Sequence, residues 1–226
     1  MADDATTEDR AALAAVLTAE YSVLTAALGV AWSASLTRTS LFLVVLSASG
    51  VALGFAAPGG GENLRLHALV VLPLLLFLGV TTFVRVVQLQ RESVVYITGQ
   101  NRIRRFLADS VPAARRYFVL PLHDDRAALF RSPGTGMSRR PPRFPLLNLI
   151  VQMQGIVGVV TASLAAVFGA SAFLPLGVAT AWILAAVAFV GTIAALFVYW
   201  QRSLNELWAA IEPLYPTPPE EIGAPF

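Results

Sequence analysis

Four stretches of this chain are apolar enough, for long enough, to read as membrane spans, and they are separated by segments of different pattern. Ser40–Ala57 is the first, its helix starting near Ser35, and Leu66–Val84 is the second. Leu146–Phe173 and Leu176–Tyr199 are the third and fourth, parted by the short turn at Leu174-Pro175. Ahead of them, Leu13, Leu17, Leu24, Leu28 and Ala31 recur at helical spacing with Glu8, Arg10 and Glu20 between them, which predicts an amphipathic helix rather than a span. Thr6 with Asp9 three residues on resembles a capping box for that helix. No basic n-region with a small-residue cleavage site precedes the apolar residues, so a signal peptide is not expected. Pro58 and the three glycines after it predict a turn between the first two spans. After Arg85 the pattern stays helical but becomes polar, with no proline until Pro112, so the second span continues as a helix beyond the membrane. Pro- and Gly-marked loop follows through residue 147, and a tail read as loose, PTPPEEIGAPF, closes the chain.

The expected fold is therefore all-α: a polytopic membrane protein with four transmembrane helices as two hairpins, an N-terminal amphipathic helix and a cytoplasmic extension of the second span. Its expected parts are the helix of residues 1–36, a hairpin over 37–88, an arginine-rich helix and loop over 89–147, a second hairpin over 148–200 and a tail over 201–226.

Charge orients this scheme. Sixteen of the 226 residues are arginine and there is no lysine. Eleven of those arginines fall between Leu89 and Asn148, against Glu92, Asp109, Asp124 and Asp125 only. Short arginine-rich segments stay on the cytoplasmic side, which predicts N-in and C-in, multi-pass, in the cytoplasmic (inner) membrane of a bacterium. The segments 1–39 and 201–226 each carry a net charge of −3, so two acidic ends share a compartment with a basic middle of +7. One consequence is that the acidic N-terminal helix docks by charge on Arg102, Arg104 and Arg105; another is that these arginines, with Arg85, contact anionic lipid or an acidic protein partner.

Chemistry is sparse. Without cysteine the chain has no disulfide framework, thiolate zinc site or cysteine nucleophile. No phosphate-binding glycine loop, HExxH or GxSxG pattern occurs, so neither an enzyme, a resident metal nor a cofactor is expected, and nucleic acid is not an expected partner. His123-Asp124-Asp125 reads as a loop or helix cap, because adjacent residues do not share a face. The four apolar cores lack ionisable groups, which disfavours ion-coupled transport. Ser47, Gly50 and Gly54 form a small-residue ridge of the kind that packs helix on helix. Asn148 and Gln152, four apart, with Gln154 are the polar groups at membrane depth, suited to interhelical hydrogen bonds or to a water-filled lining. Tyr199, Trp200 and Trp208 read as an inner aromatic belt.

The phrases EYSVL, FLGVTTFVRVVQ, GQNRIRRF and YF…HDD resemble a family of four-span membrane proteins of high-GC bacteria with no assigned activity. Residues 36–109, two spans running into a cytoplasmic helix, are similar in architecture to SLATT-type effector domains, and that resemblance implies an oligomeric membrane effector. The function expected is a homo-oligomeric channel or pore-forming effector; the alternative is a non-conducting membrane scaffold or regulatory subunit.

Overall fold

The computed structural model describes residues 7–129, 132 and 152–219. Among them every regular element is helical: α1 (Thr7–Ala56), α2 (Gly61–Ser110), a single turn α3 (Arg126–Leu129), α4 (Met153–Phe173) and α5 (Val178–Ala210). Four of these, α1, α2, α4 and α5, are long and apolar enough to cross a membrane.

The amphipathic helix and the first span are one continuous helix, although the two compact units described below divide it between Ser33 and Ala34. Between Thr7 and Ala56 there is no proline, and the three glycines, Gly29, Gly50 and Gly54, stand among good helix formers such as Ala and Leu, so nothing stops the helix. Serine and threonine hydroxyls along it, such as those of Thr18, Ser22, Thr25 and Ser47, donate to the carbonyl four residues back. The first helix ends where expected, in a 3₁₀ turn over Ala57–Gly59 followed by Gly60 at φ 95°, a conformation that suits glycine. α2 carries Pro73 in its interior and still runs to Ser110, where Val111-Pro112 ends it. The capping residue Thr6 lies outside the described residues.

The chain forms two compact units. One comprises Ala34–Leu89 and the described parts of Arg143–Asn205; the other comprises the described parts of Met1–Ser33, Gln90–Pro142 and Glu206–Phe226.

In the first unit Phe42, Leu72, Leu75, Phe83, Val87, Val157, Leu164 and Leu196 are buried together. Its tightest approach is between α2 and α4: a Cβ added at Gly79 would stand 2.5 Å from Thr161 Oγ1. Thr161 is fully buried, and its hydroxyl donates to the Val157 carbonyl at 2.7 Å. Gly158 faces Phe83, and Gly169 meets the Leu184 backbone and Ala188. The ridge expected to make the close contact, Ser47, Gly50 and Gly54, does not make it among the described residues: a Cβ at either glycine would meet nothing within 4 Å. The glycines that bring helices together are Gly79, Gly158 and Gly169 instead. Around this core large apolar side chains stand bare of protein, among them Val44, Phe55, Leu74, Phe77, Trp182 and Val190.

In the second unit Val94, Ile97, Leu129 and Leu207 form the core, with Leu28, Trp208 and Ile211 packed on it. Trp208 therefore belongs to a protein core, with Arg126 5.5 Å over its ring, rather than to an aromatic belt.

Candidate functional site

The amides expected at membrane depth are only partly gathered. Among the described residues α4 begins at Met153, and Gln152 is its extended N-cap with ψ 151°; the part of the expected span from Leu146 to Val151 lies outside the described residues. Asn148 lies outside the described residues, and with it the i, i+4 face read for Asn148 and Gln152. Gln154 is buried and donates to Gln152 Oε1. It sits at one end of an otherwise apolar cavity of about 240 Å³, lined by Phe83, Gly158, Phe189, Leu196 and Trp200 among others.

The second unit concentrates the polar chemistry, and it is assembled on the last four turns of α2. Beside Ile97, Ile103 and Ala108, four polar residues are buried there: Thr98, Gln100, Asn101 and Arg104. Such groups need partners, and each element packed on α2 supplies some. The N-terminal part of α1 does pack on this stretch, but not by charge. Gln100 Nε2 donates to Thr25 Oγ1 at 3.1 Å, and Leu24 closes on Gly99, whose added Cβ would lie 2.9 Å from Leu24 Cδ1. Tyr21 faces Arg104, while Glu20 is exposed.

Asp124 is the centre of a second set of contacts. It is fully buried and accepts from Arg102 Nε at 2.6 Å and from the backbone N–H groups of Leu214 (2.9 Å) and Tyr215 (2.8 Å). Burial alone pushes its carboxyl up; the Leu214 amide, the Arg102 guanidinium and the Tyr215 amide together outweigh that and hold it below the usual aspartate range. Asp125 accepts from the Ala128 N–H, capping α3, and from the Thr217 hydroxyl at 2.6 Å. Asn101, with no exposure, donates to the His123 carbonyl at 2.7 Å. The tail read as loose is therefore held through residue 217. The expected loop-or-cap role of HDD is right for Asp125 and incomplete for Asp124, which ties three segments together.

Three of the arginines read for lipid or partner contact have surroundings within the chain. Arg102 is taken by Asp124 and by the Glu212 carbonyl at 2.6 Å. Arg105 pairs with Asp109 at 2.9 Å, with Tyr215 5.7 Å under its guanidinium. Arg104 is 4% exposed. Arg85, half-buried, donates to Gln88 Oε1 at 3.2 Å. Arg115 and Arg116, in the 3₁₀ turn Pro112–Tyr117, are exposed.

Arg104 stands apart from its neighbours. Its Nη2 donates to Asn101 Oδ1, but Nε and Nη1 are buried without a hydrogen-bond partner. No carboxylate among the described residues pairs with it. Burial pushes this guanidinium below the ordinary arginine range, offset in part by the Tyr21 phenol oxygen. Leaving a cation buried without a counter-charge costs about 3–5 kcal/mol where such pairs have been broken. The side chain lines a pocket of about 280 Å³, walled by Thr18, Tyr21 and Leu107 and by the run Tyr117–Leu120. Tyr117 and Val119 are largely exposed, so they form a rim. Tyr21 and Tyr117-Phe118 fall within the phrases EYSVL and YF…HDD, but nothing in the sequence brought them together with Arg104. The one local sign was Asn101 three residues before Arg104, on the same helix face. Among the described residues no group of three His, Cys, Asp or Glu could hold a metal ion.

Comparison with known protein families, with curated proteins and with solved structures finds no match for this chain, so the two resemblances noted above assign no family.

Proposed function

We propose that this is an integral membrane protein of four spans, arranged as two hairpins with both ends inside, that assembles through α1 into a homo-oligomeric channel or pore-forming effector. The observation that carries this reading is the state of α1. Only 6% of its most apolar stretch is covered by the rest of the chain, against 39% for α2 and for α4. Lipid accounts for bare valine and phenylalanine. It does not call for a ridge of Ser47, Gly50 and Gly54, whose use in a bilayer is close helix approach. With no described helix of this chain on that ridge, the partner is a second copy. Buried Gln154 supplies an amide at the inner end of α4, and the second unit supplies a folded module that can gate. The alternative scaffold reading loses three of the cations it rested on, since Arg102, Arg104 and Arg105 are engaged or enclosed within the chain, and keeps Arg115 and Arg116.

Three measurements test this. Reporter fusions after Gly60 and near Leu174 are expected to read outside, and fusions at Gly134 and Phe226 inside; an outside reading at Gly134 sinks the topology. Purified protein is expected to be an oligomer that conducts ions in proteoliposomes, and a monomer without flux above protein-free vesicles removes the channel reading. Gly54→Leu is expected to leave the chain's own thermal stability nearly unchanged, because nothing lies within 4 Å of the new Cβ, while it breaks the oligomer. If Gly54→Leu keeps the wild-type oligomer, α1 faces lipid and the interface lies elsewhere.

A further inference from the structure

The unpaired Arg104 guanidinium and the cavity beside it go beyond the channel reading and stand without it. We propose that the pocket between α1, the end of α2 and the segment Tyr117–Leu120 is a binding site for a small organic carboxylate with an apolar or aromatic body.

The pocket's chemistry selects the ligand class. Arg104 offers three N–H bonds, from Nε and Nη1, that have no hydrogen-bond acceptor among the described residues. A guanidinium does not discharge to escape burial, so its compensation comes from an anion. Its neighbours on α2 show the contrast, since Arg102 has Asp124 and Arg105 has Asp109. The uncompensated charge is a single one, which a carboxylate matches and a doubly charged phosphate exceeds. The remaining walls, Leu107, Phe118, Val119 and Leu120, are apolar, with the Tyr21 phenol and Thr18 hydroxyl as the polar exceptions. They suit a hydrocarbon or aryl group rather than a sugar or a peptide. At about 280 Å³ the space is at the small end of ligand sites, which limits the body to an aryl ring or a medium-length chain. The mouth is open past Tyr117 and Val119, and the neighbouring Arg115 and Arg116 are exposed, so anions are drawn toward it.

The test is calorimetric titration of the full-length protein in neutral phosphatidylcholine nanodiscs with octanoate and with benzoate, against octanol and inorganic phosphate. Saturable binding of a carboxylate at one per chain is expected, with octanol and phosphate each at least tenfold weaker. Arg104→Gln is expected to weaken carboxylate binding at least tenfold. Val119→Asp alters only the exposed rim, keeps the fold, and is expected to weaken it several-fold at low salt, so the site stays testable if Arg104→Gln does not fold. Octanol binding as well as octanoate, phosphate binding as well as either acid, or unchanged binding in Val119→Asp or in folded Arg104→Gln each overturns the assignment. So does the absence of saturable binding, which leaves a water-filled pocket. Displacement of octanoate by phosphatidylglycerol in the nanodisc gives the pocket to a lipid headgroup and likewise overturns it.

Discussion

Asp124→Ala is expected to free residues 211–219 from the second unit and to lower its stability by about 3 kcal/mol. The side chain has no exposure and accepts three hydrogen bonds, two from backbone amides of the tail and one from Arg102. Each buried donor left unsatisfied costs about 1–3 kcal/mol. Arg102 is partly exposed and recovers water, so the loss falls mainly on the Leu214 and Tyr215 amides. Asp124→Asn keeps an acceptor for one amide and is expected to lose about half as much. The same carboxylate makes the tail sensitive to acid. Its folded pKa lies below the unfolded value of about 3.9, so its stabilisation is fully present above that pH and is lost as pH falls through the folded pKa. Hydrogen exchange across residues 211–219 is expected to speed up in wild type below about pH 4, and in Asp124→Asn to be fast already at neutral pH with little further acid dependence. Equal protection in wild type and variant at pH 7 would mean that the tail is held by Thr217 and side-chain packing, not by Asp124.

Gly79→Leu is expected to be the most damaging substitution in the first unit. A Cβ alone at position 79 would sit 2.5 Å from Thr161 Oγ1 and 3.1 Å from its methyl, so α2 and α4 must separate before any longer side chain fits. Thr161 cannot swing away cheaply: it is β-branched, fully buried, and bonded to the Val157 carbonyl. Overpacking of this kind costs about 1–3 kcal/mol, and more when backbones are forced apart. Gly79→Ala gains up to about 1 kcal/mol of helix propensity, which partly offsets its clash. The leucine has no such relief. Thermal unfolding in detergent is expected to show Gly79→Leu far below wild type, Gly79→Ala slightly below, and Gly54→Leu close to it. Adding Thr161→Ala to Gly79→Ala is expected to recover most of the loss. Wild-type melting in Gly79→Leu would show that α2 and α4 do not approach at this glycine.

Composition and hydropathy alone determined that the chain is helical, that four helices are long and apolar enough to cross a membrane, and where most of them end. Leu66–Val84 stands out because apolar runs of that length rarely occur otherwise. The turn at Pro58–Gly61 and the stop at Pro112 follow from single residues whose backbone limits are local. The change expected near residue 36 divides the two compact units, between Ser33 and Ala34, without breaking the helix. A change in polarity marks a change of surroundings, and a helix needs no break to pass from one to the other, so Thr7–Ala56 is continuous.

Packing partners were a different matter. Gly50-xxx-Gly54 looks more like a contact motif than Gly79 does, yet only Gly79 has a side chain against it within the chain. A small residue permits approach, and the opposing surface decides whether approach occurs. Charge misled in the same way: an acidic α1 and three arginines suggested electrostatic docking, whereas Leu24, Thr25 and Tyr21 make the contact. Arg102, Arg104 and Arg105 are alike in the sequence. The helix turns them about 100° apart per residue, so one reaches Asp124 from a distant loop, one reaches Asp109 a turn away, and one is enclosed with no counter-charge. The sequence by itself determined their number and their helix; only the tertiary structure decided their roles, because a side chain's partner depends on which remote segments the fold brings to its face.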